Sequence, residues 1–170
     1  RIRIVVHGVG LSEAVSRLRF RVTNEPAYLP AALGPWHMSG PHLAETGEEA
    51  IDREYIDPHH AVLVSTDGEG KALWRIPEDG LPDGVAHNLG SKQCAYYFHR
   101  VVTASTPRTM DISLDNRNAV RLWVNGRLVL DKEAQRGEVG AHPSPVTVDL
   151  REGENFLLIK TVDYYDFNTP

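Results

Sequence analysis

A chain of 170 residues with 41% hydrophobic and 24% charged side chains has the composition of a globular protein, long enough to bury one sizeable core. Its net charge of -5, with Lys and Arg scattered rather than clustered, argues against a nucleic acid or an anionic membrane as partner. No apolar run approaches the roughly 20 residues of a spanning helix, so no membrane insertion is expected, and the single cysteine, Cys94, excludes an internal disulfide and any multi-cysteine metal site.

The chain opens on RIRIVV (1–6), and SRLRFRVT (16–23) alternates Leu18, Phe20 and Val22 with Arg17, Arg19 and Arg21. Both have the period of strands. Because the chain starts on a strand with no leader pattern, a mature or excised piece of a longer protein is expected. Residues 1–23 read as the terminal strands of a preceding β domain, or as edge strands of the same sandwich. The proline-rich stretch at 24–33 reads as a linker, 34–166 as a β-sandwich module and 167–170 as a tail.

Within the module, LGPWHMSGPH (33–42) has no period and is expected to be extended or to loop, with Trp36 seated structurally among prolines and glycines. Residues 44–56 are the one stretch with helical character, enough for one or two turns with the acids outside, and Asp57-Pro58 ends them. Strand-like pieces follow at 61–65, at 72–76 with Trp74 in the middle, and at 85–89, separated by Asp67-Gly68, Asp79-Gly80 and Asp83-Gly84. AYYFHRVVTA (95–104) places Tyr97, His99 and Val101 on one face and Tyr96, Phe98, Arg100 and Val102 on the other.

The centre of the pattern is MDISLDNRNAVRLWVNGRLVLD (110–131). Ile112 and Leu114, then Val120, Leu122 and Val124, alternate with polar residues and Trp123, and Asn125-Gly126 is the dipeptide of a type I′ hairpin turn. Asp115, Asn116, Arg117 and Asn118 form a polar segment expected on a loop at the end of a sheet. A polar loop, 132–145, leads to closing strands at 145–150 and 155–162, and Tyr164, Tyr165 and Asp166 make an aromatic and acidic cluster beyond them. Short strands at this spacing with hardly any helix predict an all-β fold, an antiparallel β-sandwich of jelly-roll type.

The ordered set GPWHMSGP, AYYFHRVV, ISLDNRNAVRLWVNGRLV and VTVDLREGENFLLIKTVD resembles a β-sandwich module of large multidomain surface proteins of planctomycete bacteria, which also carry domains of unknown function and cytochrome-like and laminin-G-like segments. The likeness covers about residues 33–165, and RFRVT (19–23) resembles the end of the segment that precedes the module. The hairpin and closing strand are also similar to the sugar-binding sandwiches appended to glycoside hydrolases and to protective-antigen-type lectin domains. In those lectins adjacent acids hold a calcium ion that in turn holds a sugar. Where that pattern has Asp-Asp-Gly this chain has Asp115-Asn116-Arg117. The cation of Arg117 disfavours calcium there, although Asp115, Asn116, Asn118 and carbonyls offer oxygens. No cofactor is expected, a structural or ligand-bridging calcium being the alternative.

No nucleophile elbow, zinc-protease helix or phosphate loop is present, so an enzyme is not expected. His59-His60 would face opposite ways on a strand, and His37 and His42 lack metal-ligand company. His99 reads as a partly buried ring with one hydrogen-bond partner. The resemblance implies a non-catalytic carbohydrate-binding module of an exported bacterial protein, extracellular, at the cell surface or periplasmic, with a polysaccharide or glycan as partner. Trp123, Asp115, Asn116, Arg117, Asn125, Tyr164, Tyr165 and Asp166 are the candidate ligand-binding residues, Trp123 supplying a flat platform for a sugar ring. Against this stands packing of Trp123 under a loop or a second layer. The competing function is a structural or assembly domain that docks on flanking domains or subunits.

Overall fold

The structure, a computed structural model, describes residues 2–5, 15–17, 19–22, 31–60, 66, 73–84, 86–89, 93–116, 119–133 and 142–163. Its elements in chain order are β1 (Ile2–Val5), β2 (Val15–Arg17), β3 (Arg19–Val22), β4 (Ala32–Leu33), β5 (His37–Leu43), α1 (Gly47–Asp52), β6 (Ala86–Asn88), β7 (Cys94–Ala104), β8 (Arg108–Asn116), β9 (Val120–Val124), β10 (Arg127–Lys132), β11 (His142–Leu150) and β12 (Gly153–Asp163). They form two sheets, as an all-β sandwich requires. The first runs β3-β1-β8-β2-β6 with β11 also on β8, and the second runs β10-β9-β12-β7-β4 with β5 also on β7. All pairings are antiparallel except β1 with β8.

The core lies between the sheets and follows the period-two pattern. Met110, Ile112, Leu114, Val148 and Leu150 from the first sheet meet Tyr96, Phe98, Val102, Leu122, Val124, Leu157 and Ile159 from the second. Each such side chain contributes about 1.5–3 kcal/mol by leaving water. Cys94 is fully buried among them. The hairpin turn closes as its sequence demands: Asn125 and Gly126 both have positive φ, 52° and 78°.

Several elements differ from the sequence expectation or decide between its alternatives, each for a reason of pairing. The stretch 33–42 takes the extended of the two forms left open for it, since β4 and β5 together line one edge of β7. The interruption is Gly34-Pro35-Trp36, whose indole turns into the core and donates from Nε1 to Asp83 Oδ1 at 3.0 Å. Proline is tolerated in β5 because an edge strand leaves half its N–H groups outside the ladder. Gly40 is required there: φ is 116°, and a Cβ would come within 2.8 Å of the Ala95 carbonyl oxygen.

β8 extends through Asp115 and Asn116, so these two residues are in a strand rather than in the expected loop. Their partners are Pro143 and His142, because β11 begins inside what its prolines and polarity mark as a loop. Among the described residues β11 pairs with β8 alone, again an edge position where Pro143 and Pro145 are tolerated. Of the strand expected at 72–76, the described part is not a strand; Arg75 makes an isolated bridge to Met38. The strand expected at 61–65 lies outside the described residues. The described residues 2–5, 15–17 and 19–22 pair into the first sheet, β1 running beside β8.

Candidate functional site: the outer face of the second sheet

The second sheet is covered on both sides along most of β7, and that covered part of the outer face is where the chemistry-bearing side chains collect. Register places one row straight across five strands: Leu128 of β10, Trp123 of β9, Leu158 of β12, His99 of β7 and His37 of β5. The next row is Asp131, Arg121, Lys160, Tyr97 and Ser39. Seven consecutive residues of β7, Cys94 to Arg100, are buried, which happens only when both faces of a strand are packed.

The cover is built by the segment from α1 to His60. Thr46 caps α1, its hydroxyl oxygen accepting from Glu49 N–H at 3.0 Å, while the Glu49 carboxylate accepts from Glu45 N–H at 2.8 Å. The helix seats Ala50 and Ile51 on Ala119 and Val162. Its last turn has no basic residue of its own. The sheet supplies the cations instead: Lys160 Nζ donates to the carbonyls of Ile51 and Arg53 at 2.6 and 2.8 Å, and Arg121 donates to Ile51 at 2.6 Å. Tyr55 and Ile56 then cross over Tyr97 and Leu158. Beyond them the His59 ring lies against Gly126, where an added Cβ would approach Nδ1 to 2.8 Å.

Lys160 is 2% exposed, with its ammonium 5.6 Å from the ring centroids of both Tyr55 and Tyr97. Burial, assisted by the cation of Arg121, pushes its pKa down to about 8. Burial also raises the Tyr97 phenol to about 12, and its hydroxyl oxygen accepts from Tyr55 N–H at 3.3 Å. Ser39 Oγ lies 3.0 Å from His42 Nε2, and the His42 ring stacks on Tyr55 at 5.0 Å. That serine is 3% exposed, closed to a substrate. His37 and His99 stack at 4.7 Å with 9° between their planes, and Trp74 meets His99 edge to face at 4.9 Å. Burial, then the neighbouring His37, lower the His99 pKa to about 4. The Nδ1 of His99 is buried without a hydrogen-bond partner.

The candidate residues read from the sequence do not converge. Trp123 is half-buried on this outer face, packed against a cluster of Ile56, Ala95, Tyr97 and Leu158 that also takes Tyr55, Leu73 and Trp74. Asp115 is 4% exposed and belongs to the other sheet, on the opposite side of β8 from the inward Ile112 and Leu114. It and Trp123 therefore stand on outer faces of different layers, with a sandwich about 10 Å thick between the layers. Asn125 serves the fold: Nδ2 donates to Asn155 Oδ1 at 2.9 Å and Oδ1 accepts from Phe156 N–H at 3.0 Å. Asn116 ends β8. Arg117, Tyr164, Tyr165 and Asp166 lie outside the described residues. Among the described residues no group of three or more His, Cys, Asp or Glu is placed to hold a metal ion.

Sequence reasoning passed over Lys160. Its signal is a lone cation inside the run FLLIKTV, where a strand with one wet face would alternate. His37 and His99, far apart in sequence, had no pairing signal at all.

No protein-family model and no curated protein matches the sequence. Among solved structures the chain is similar to the GH31 alpha-xylosidase from Xanthomonas citri, at 13% identity and a TM-score of 0.34, over 96% of this chain and 24% of that one. The chain thus spans about a quarter of that enzyme's length, and a likeness of this size does not carry the enzyme's activity over.

Proposed function

We propose that this chain is a non-catalytic structural module that acts by docking on neighbouring domains or subunits of an exported protein. One observation carries this reading. The polar side chains around Trp123 are engaged within the fold: Asn125 with Asn155 and Phe156, Arg121 with Ile51 and Asp131, Lys160 with Ile51 and Arg53. A sugar site needs an aromatic platform together with polar groups free to take hydroxyls, and among the described residues Asn125, Arg121 and Lys160 beside the platform are already taken up. The large apolar side chains left exposed suit a dry contact: Leu43 at 71%, Ile76 at 55% and Leu128 at 45%.

Hydrogen exchange on the isolated chain and on the longer polypeptide tests this directly. The amides of β10 and the end of β5 gain protection in the longer polypeptide. Equal protection in both overturns docking. The second reading is glycan recognition, favoured by the remaining exposure of Trp123 beside Leu128 on one face of the sheet. Titration with a panel of polysaccharides separates the two: saturable binding that Trp123→Ala abolishes would establish the glycan reading in place of docking.

A further inference from the structure

The stacked histidines on the outer face are a device that neither function uses. His37 and His99 face each other across β5 and β7, their rings nearly parallel, and His99 is 7% exposed. Both Nδ1 atoms are buried without a hydrogen-bond partner. A neutral imidazole can satisfy that geometry by keeping its proton on Nε2. An imidazolium cannot, because both nitrogens then carry N–H and the buried Nδ1–H has nothing to donate to. Two cations at this separation would also repel through a dry interior.

The strip that packs on this pair is held by side-chain packing and by a backbone bridge: Leu73 and Trp74 join the cluster of Ile56, Ala95, Tyr97 and Leu158. Trp74 touches His99, and the neighbouring Arg75 joins β5 through two bonds, Met38 N–H to Arg75 O at 2.8 Å and Arg75 N–H to Met38 O at 3.0 Å. Among the described residues, the charged and titratable groups around the pair do not offset a new positive charge. β12 brings Lys160, β5 brings His42, β7 brings Tyr97, and the strip itself brings Arg75. The acids Asp52, Glu54 and Asp131 act at Lys160 and Arg121, one row further on.

We propose that the His37–His99 stack is an acid-sensitive latch, whose protonation releases the strip 73–76 with Trp74 from the edge of the second sheet while the sandwich core stays folded. The sign follows from linkage. His99 binds its proton less tightly when packed, about 4, than when free, 6.5. The closed state is therefore fully favoured above pH 6.5 and loses ground as pH falls toward 4. Opening gains about tenfold per pH unit for each proton taken up in that window. Local opening precedes global unfolding because, among the described residues, the strip's backbone joins the sheet at one bridge while β7 and β12 pair over their whole lengths.

Amide exchange by NMR at pH 7, 6, 5 and 4.5, corrected for the intrinsic rate, reads this at named sites. Protection at the Arg75 and Met38 amides falls about tenfold per unit below pH 6, while the Leu157 amide on β12 keeps its protection. His99→Phe, which fills the site without a titrating nitrogen, holds Arg75 protection flat. His37→Phe serves as the second variant should the first fold poorly, and it removes the repelling partner. Unchanged protection of Arg75 down to pH 4.5, an equal fall at Leu157, or the same slope in both variants would overturn the latch.

Discussion

The two faces of the second sheet are buried by different means. The inner face is a conventional apolar core, in which Tyr96, Phe98, Val102, Leu122 and Ile159 meet the first sheet. The outer face is covered by a crossing segment and holds Lys160, Tyr97, His99, His37 and Ser39, side chains that strand alternation normally turns to water. The comparison teaches that burial on the inner face needs only shape, whereas burial on the outer face needs a partner for each polar atom. Lys160 finds two carbonyls at the end of α1; the Nδ1 atoms of the histidines find none.

Substitution can test how far this difference holds. The largest effect belongs to the inner face: Leu122→Ala, at a fully buried position, is expected to lower unfolding stability by about 4 kcal/mol in urea titration. A loss under 1 kcal/mol would mean that the two layers do not share this core. Asn155→Ala comes next at about 3 kcal/mol, since it strips partners from Asn125 and from the Arg151 N–H and C=O in a site with no exposure. Near-native stability for it would show the amide network to be dispensable.

Trp123→Ala removes a half-buried ring from the outer cluster and is expected to cost about 2 kcal/mol. An indole standing free as a ligand platform would cost almost nothing when truncated, so the same variant sharpens the choice between docking and glycan binding. Lys160→Met is expected to cost about 1 kcal/mol at pH 7, because the Ile51 and Arg53 carbonyls lose their donor. Its signature is in the pH profile. The lysine titrates near 8 when folded and 10.5 when unfolded, so between these values the unfolded chain holds the extra proton. Wild-type stability then rises relative to the methionine variant by about 1.4 kcal/mol per pH unit. Parallel profiles from pH 7 to 10 would place the amine in water rather than beneath α1.

Local sequence pattern was a sufficient guide to the β-sandwich, to which residues of β7 share a face, and to the turn at Asn125-Gly126. All three depend on neighbours in sequence: a period of two, or the positive φ that one dipeptide tolerates. The candidate site was less legible. Asp115 and Trp123 are eight positions apart, and their closeness along the chain suggested one site. The chain between them crosses from one sheet to the other, which puts them on different outer faces.

What pattern alone decides here is which side of each strand meets the core, because that choice is made residue by residue through the cost of leaving an apolar side chain in water. Which strands become neighbours is a long-range matter, set by how layers stack and where edges close. Only that stacking sets His37 against His99, slides Lys160 beneath the end of α1, and turns the proline-containing stretches at 37–43 and 142–150 into edge strands.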